Sequence, residues 1–262
     1  IMMSADASGH VKPGRMTAKD VGKKTLAAVG HVNNETGVVQ DLPGLRRRLD
    51  ALYPETVLVV DGVQSLGKLD IPWHQAGITF LALSARKIGG PHSMGALICR
   101  RGTPLAPLFF GGAQQAGIRP GTVDVVGAVE FVTAVEERIA GKDENLAYIK
   151  ELNESLRYRL GNEIEADTVL LSPDDASPYI LSVAVPGYEA AVLVRKMAEG
   201  GVIVATGSAC SAESAETSHV LRAMGVTETV ARATIRISFG PENTVSDSNG
   251  FIRQLQSAIQ DY

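Results

Sequence analysis

Val57-Leu58-Val59-Val60-Asp61-Gly62-Val63-Gln64-Ser65 sets an uninterrupted aliphatic run directly against a carboxylate, a glycine and an amide. A continuous β-branched run of this kind predicts a strand buried on both faces, as in a parallel sheet covered by helices. Ligands of open α/β sheets bind beyond the carboxyl ends of the strands, so Asp61 stands where chemistry is expected. Outward from it, short apolar runs alternate with amphipathic stretches at 25–29, 42–53, 57–60, 80–84 and 94–100. The alternation predicts an α/β fold with a mainly parallel sheet.

Further along, Gly111-Gly112-Ala113-Gln114-Gln115-Ala116-Gly117-Ile118-Arg119-Pro120-Gly121-Thr122 is too rich in glycine, proline and glutamine for a regular element and predicts a loop. A helical pattern follows from about 124 to 160, with a break at Gly141-Lys142. A second organisation then sets in. Strand patterns at 168–171, 179–185, 202–205 and 234–239 interleave with helix patterns at 189–199, 218–224 and 248–260. The boundary is placed near Lys142: a larger domain over 1–142 and a smaller C-terminal α+β domain over 143–262. Ile1-Met2-Met3-Ser4 reads as the end of a strand, with the expectation that further residues precede it.

Composition narrows the function classes. A chain of 262 residues can bury a sizeable core, and a net charge of −4 argues against a nucleic-acid surface, which is usually basic and clustered. Arg46-Arg47-Arg48 is expected on a solvated helix face. Two cysteines, Cys99 and Cys210, are too few for a disulfide framework and stand at no metal-ligand spacing to the five histidines. A reducing cytoplasm fits that usage. No apolar stretch reaches the roughly 20 residues of a membrane span, and the first residues lack the order of a signal peptide.

Three positions carry candidate chemistry. Lys87, in Ser84-Ala85-Arg86-Lys87-Ile88-Gly89-Gly90-Pro91, follows a strand among small residues, where an amine can be desolvated and freed for Schiff-base chemistry. Asp61 can hold a pyridine nitrogen protonated, the condition for pyridoxal 5'-phosphate (PLP) to act as an electron sink, while Gln64 can donate to the ring's phenolic oxygen. Cys210, in Thr206-Gly207-Ser208-Ala209-Cys210-Ser211, has neighbours too small to pack it, which suits a reactive loop thiol better than a core residue. Cys99, within a strand pattern, is expected to be a buried small hydrophobe. Each position has a plain alternative: a surface lysine, a turn-forming aspartate, a loop cysteine, and turn residues at Asn33 and Asn34.

Together the segments resemble the PLP-dependent cysteine desulfurases of the class-V aminotransferase superfamily, the NifS-like and IscS-like group. The parts stand in order: His31-Val32-Asn33-Asn34-Glu35-Thr36-Gly37; Val60-Asp61 with Gln64-Ser65; Ser84 to Pro91; Arg119-Pro120-Gly121-Thr122; Gly207-Ser208-Ala209-Cys210; and Thr234-Ile235-Arg236-Ile237-Ser238-Phe239-Gly240. The resemblance implies a fold type I PLP enzyme acting on L-cysteine. Lys87 would carry the cofactor, Asp61 would pair with its ring nitrogen, and Gln64 and Asn34 would lie near its phenolic oxygen. Ser84 would bind its phosphate, with Arg86 beside it. Thr122 would reach the phosphate of a neighbouring subunit, which implies a homodimer. Arg236, and Asn34 with it, would hold the substrate, the guanidinium taking the α-carboxylate. Cys210 would accept the sulfur as a persulfide, for delivery to an iron-sulfur scaffold or a thiolation partner.

Departures accompany the likeness. Arg86 stands where the family usually has histidine, and His92-Ser93 replaces a more usual lysine-glycine pair. The family's N-terminal phosphate-cradling turn and ring-stacking histidine have no counterpart before Asn33, since neither His10 nor His31 matches. Two further readings therefore stay open: a selenocysteine lyase or other class-V carbon-sulfur lyase, and a non-catalytic sulfur-carrier or assembly subunit.

Overall fold

The computed structural model describes residues 3–13, 25–207 and 217–262. Within them the chain divides into two compact units: 3–13, 32–41, 143–207 and 217–262 form one, and 25–31 with 42–142 form the other. Lys142 therefore marks only the last crossing between units, because residues 32–41 belong with the C-terminal part.

The chain begins with a short hairpin of β1 (Ser4–Ala5) and β2 (Val11–Lys12). Its turn is closed by Asp6, whose Oδ1 accepts from the backbone of Ser8 and of His10, each at 3.0 Å. Gln40 ties the hairpin down, accepting from Val11 N and donating to Gly9 O, both at 2.9 Å.

The parallel-sheet unit runs β3 (Leu26–Gly30), α1 (Leu42–Leu52), β4 (Val57–Asp61), β5 (Phe80–Ser84), β6 (Gly95–Cys99) and α2 (Val125–Ala140). The strands lie in that order; β3, β4 and β5 are parallel and β6 runs antiparallel to β5. Leu58 and Val60 of β4 are fully buried, whereas Val57 and Val59 are half-buried. The strand expected to be buried on both faces thus has one face more open. Helix α1 buries Leu42, Leu45 and Leu49 at helical spacing. Of its three consecutive arginines Arg47 and Arg48 face solvent, but Arg46 is half-buried and donates to Thr56 O at 2.8 Å. Every residue of β6 is exposed, including Cys99, contrary to the expectation of a buried thiol. The reason is its place at the sheet edge, where among the described residues neither face is covered.

The second unit is antiparallel. It runs α3 (Lys142–Asn162), β7 (Val169–Leu170), β8 (Ile180–Ala184), α4 (Ala190–Glu199), β9 (Ala205–Thr206), α5 (His219–Ala223), α6 (Glu228–Arg232), β10 (Thr234–Ser238) and α7 (Val245–Gln260). The sheet order is β7-β8-β10-β9, with all pairs antiparallel. Strand periodicity divides its side chains. Leu181, Val183, Ile235 and Ile237 point into a core with Leu152, Leu156, Leu193, Met197 and Leu255 of α3, α4 and α7. The residues between them, Ser182, Thr234 and Arg236 among others, occupy the opposite face. Residues 33–38 lie against that face: Gly37 O accepts from Ser177 N at 2.8 Å, and a Cβ on Gly37 would stand 3.0 Å from Ile180 O. With φ at +76°, Gly37 suits both the turn and the close approach.

Candidate active site

In the parallel-sheet unit the register gathers the expected cofactor residues at one sheet edge. Asp61 ends β4 and pairs with Gly30 of β3 and Ala82 of β5, and Ser84 lies two residues further along β5. Neighbouring strands are about 4.8 Å apart, so the ends of β4 and β5 are adjacent. One oxygen of Asp61 accepts from Val63 N at 2.9 Å, which orients the carboxylate at the head of the following turn. That turn, carrying half-buried Gln64, closes through Ser65 N to Gly62 O at 2.9 Å. Gly62 leaves room for the Leu81 side chain, since a Cβ there would come within 2.7 Å of its Cδ1 and the leucine would have to shift.

After β5 the chain makes one 3₁₀ turn, Ala85–Ile88, that presents Arg86 and Lys87 outward while Ala85 and Ile88 are buried. Ser84 stands at its N-cap yet makes no side-chain cap bond. Gly89, at φ +87°, ends the turn in the left-handed region. Helix α2 braces both turns: Phe131 and Ala134 pack with Leu66, Ala85 and Ile88, and Arg138 Nε donates to Ile88 O at 3.1 Å. The donor set fits PLP: a fixed carboxylate suits the ring nitrogen, an exposed lysine the aldehyde, and a serine hydroxyl not spent on its own turn the phosphate.

Thr122 is exposed and lies two residues before Asp124, the N-cap of α2, whose Oδ1 accepts from Gly127 N at 2.9 Å. The expected loop before it contains one short turn, Gln114–Gly117, in which Gln115 and Ala116 adopt positive φ of 49° and 55°.

The antiparallel unit holds the expected substrate residues. Asn33 shapes their turn: its Oδ1 accepts from Glu35 N and Thr36 N, both at 2.9 Å, and from Thr36 Oγ1 at 3.1 Å. Of the two asparagines, Asn33 is therefore the turn residue. The carbonyl of Asn34 accepts from Arg236 Nη1 at 3.2 Å, so these two candidates, 202 positions apart, meet. Cys210 lies outside the described residues.

Beside this pair stands Glu35, which the sequence reading passed over. It is only 7% exposed, takes a hydrogen bond from the Ser218 hydroxyl, and feels the charges of His219 and Arg236. Burial raises its carboxyl above the usual glutamate range, against those three influences. The available signal was a lone acidic residue inside Asn33-Asn34-Glu35-Thr36-Gly37, where turn residues alone would have sufficed. Buried at the end of β3, His31 is held below the usual imidazole range by desolvation.

The class-V aminotransferase profile matches residues 2–251. The cysteine desulfurase IscS of Proteus mirabilis is 38% identical over 89% of this chain and 57% of its own length. A solved NifS-like protein superposes with a TM-score of 0.87 at 27% identity, over 99% of this chain and 68% of that one. The structure of SspA in complex with cysteine gives a TM-score of 0.70 at 29% identity, over 92% and 66%. This chain spans about six tenths of the length of the curated relatives it matches. With the aspartate, lysine and arginine segments standing in the family's order on its two sheets, the chain belongs to the class-V aminotransferases.

Proposed function

We propose that the protein is a PLP-dependent cysteine desulfurase that converts L-cysteine to L-alanine and passes the sulfur to Cys210. The observation that carries this reading is the juxtaposition of Asp61 and Ser84 at adjacent carboxyl ends, with Lys87 three residues on. Relatives named cysteine desulfurase and a related structure holding cysteine support it.

When bound, PLP supplies an electron sink for the substrate's α-carbon. Asp61 would keep the ring nitrogen protonated, Gln64 would donate to the phenolic oxygen, and Ser84 and Arg86 would hold the phosphate. Arg236 takes the α-carboxylate, and the Asn34 backbone that accepts from it fixes where that carboxylate lies. The Lys87 amine would take the substrate's α-proton. The Sγ of Cys210, as thiolate, would attack the substrate sulfur: the substrate's C–S bond breaks, an S–S bond forms on Cys210, and the carbon skeleton leaves as alanine once Cβ is protonated and Lys87 has returned a proton to Cα. The reading assigns cofactor chemistry to the parallel-sheet unit and substrate capture to the antiparallel one. It includes a homodimer in which Thr122 serves the neighbouring subunit, a cytoplasmic setting, and an iron-sulfur scaffold or thiolation partner as sulfur acceptor.

The direct test is alanine formation from L-cysteine by the full-length protein supplied with PLP. Stoichiometric alanine is expected, with bound sulfur on Cys210 that is lost in Cys210→Ser. Failure to take up PLP, or turnover to pyruvate in place of alanine, would overturn the reading.

A further inference from the structure

Asn34 O meets Arg236 Nη1 at 3.2 Å, yet the turn that carries Asn34 belongs to no named strand; a bridge between Val32 and Val39 closes its base. Its position is set by what it touches. Gly37 N donates to Asn33 O at 2.9 Å, and the Asn33 side chain accepts from the backbone of Glu35 and Thr36, so residues 33–37 form one closed turn. That turn is held at Gly37 O, which accepts from Ser177 N at 2.8 Å. A Cβ on Gly37 would lie 3.2 Å from Ser177 O, so the two backbones are in close contact.

Ser177 in turn lies in an irregular segment. Ser172-Pro173-Asp174-Asp175-Ala176-Ser177-Pro178 joins β7 to β8 and contains two prolines, which have no N–H to donate. Two side chains of α3 hold its ends. Arg157 donates through Nη1 to Ser172 O at 2.9 Å, through Nη2 to Pro173 O at 3.0 Å and through Nε to Asn153 Oδ1 at 2.7 Å. Asn153, one helical turn back and 3% exposed, donates to Pro178 O at 2.9 Å. The guanidinium is half-buried, whereas Asp174, its ion-pair partner at 3.6 Å, is exposed and adds little. An apolar residue at 157 could pack against the segment, but only a rigid fork of donors fixes the direction of two carbonyls and of the amide that takes the third.

We propose that Arg157 is a positioning residue for the substrate clamp: with Asn153 it fixes residues 172–178, and through Ser177 and Gly37 it sets the Asn34 carbonyl that directs the Arg236 guanidinium. Each step from one chain segment to the next is a hydrogen bond, and all of them lie within the antiparallel unit. This deepens the desulfurase reading and rests on its assignment of Arg236.

The experiment uses the full-length holoenzyme and L-cysteine. Arg157→Ala should raise KM about tenfold and leave kcat within about twofold, because the clamp is displaced while the reacting groups are not. Arg157→Lys, whose single ammonium cannot serve both carbonyls and the amide, should raise KM about fivefold. Gly37→Ala, which forces the turn away from Ser177 and Ile180, should raise KM about tenfold on its own. In the Gly37→Ala background Arg157→Ala should add less than about twofold, the link being already broken. Arg159→Ala removes the neighbouring α3 arginine, which binds Glu163 and Asn249, and should leave KM within about twofold of wild type whatever its effect on Tm. A KM within about twofold of wild type in Arg157→Ala, or in Arg157→Lys should the alanine variant not fold, overturns the positioning role. Full additivity with Gly37→Ala, or an equal rise of KM in Arg159→Ala, overturns it as well. Arg236→Ala with unchanged KM overturns instead the assignment of Arg236 on which the role depends.

Discussion

The candidate residues of the two sheets stand at different parts of their strands. In the parallel sheet the candidate residues stand at or beyond strand ends: Asp61 closes β4, Ser84 closes β5, and Lys87 follows in the next turn. In the antiparallel sheet Arg236 is the middle residue of β10, with Ser182 and Ala205 opposite it on either side. A strand end lets a side chain approach a ligand from outside the ladder, with glycines such as Gly62 giving the backbone room. A mid-strand position fixes the backbone at both neighbours, so only the side chain can adjust. Such a residue needs partners on its face, and Asn34 provides one.

Removal of Lys87 tests the strand-end half of this contrast and carries the largest expected effect. Lys87→Ala in the holoenzyme should lower kcat for alanine formation by about 10³-fold, the scale of a lost proton-transfer group. Asp61→Asn should cost less, since the hydrogen bond from Val63 N and the turn survive while only the charge is lost. Equal activity of Lys87→Ala and wild type in a steady-state assay would remove the parallel sheet from the chemistry.

Burial separates the sheets as well. Leu181 of β8 is fully buried in the antiparallel core, while Leu97 of β6 is 50% exposed. Leu181→Ala should therefore destabilise by about 2–5 kcal/mol through lost contacts and a residual cavity. Leu97→Ala should stay within about 0.5 kcal/mol. Denaturant unfolding of the two variants measures both, and similar losses would mean that β6 is covered in solution.

Much of this contrast was legible in the sequence, for identifiable reasons. The β4 run announced a strand ending at Asp61, because parallel strands carry continuous apolar runs. The break at Gly141-Lys142 and the apolar alternation of β8 and β10 likewise read correctly, since local periodicity determines them. What stayed hidden was a cap outside the apolar pattern, an element too short for a period, or burial set by distant residues. Helix α7 begins at Val245, earlier than its apolar pattern suggests, because Thr244 and Asp247 cap each other. Helix α6 has five residues, too few to show a period. The exposure of Cys99 depends on what flanks β6, and the burial of Glu35 on a sheet formed some 200 residues later; neither is written in the neighbouring residues.

Two buried titrating groups, one in each unit, give the smallest and most specific test. Desolvation favours the neutral form of both, but the pH signs are opposite. Glu35 binds its proton more tightly in the folded state, so above pH 4.5, its ordinary value, the folded protein holds more protons than the unfolded one and stability falls as pH rises. Its contribution is complete below that value and lost as pH passes the raised folded value. His31 binds its proton less tightly when folded, so below pH 6.5 the unfolded state holds more protons and stability falls as pH drops. Its contribution is complete above pH 6.5 and lost through the lowered folded value. Tm profiles of Glu35→Gln and His31→Gln between these limits should therefore cross: the first gains on wild type toward neutral pH, the second toward acid. Should Glu35→Gln instead lose ground as pH rises, attraction by Arg236 and His219 outweighs burial, and the carboxylate would be held in place by net stabilisation.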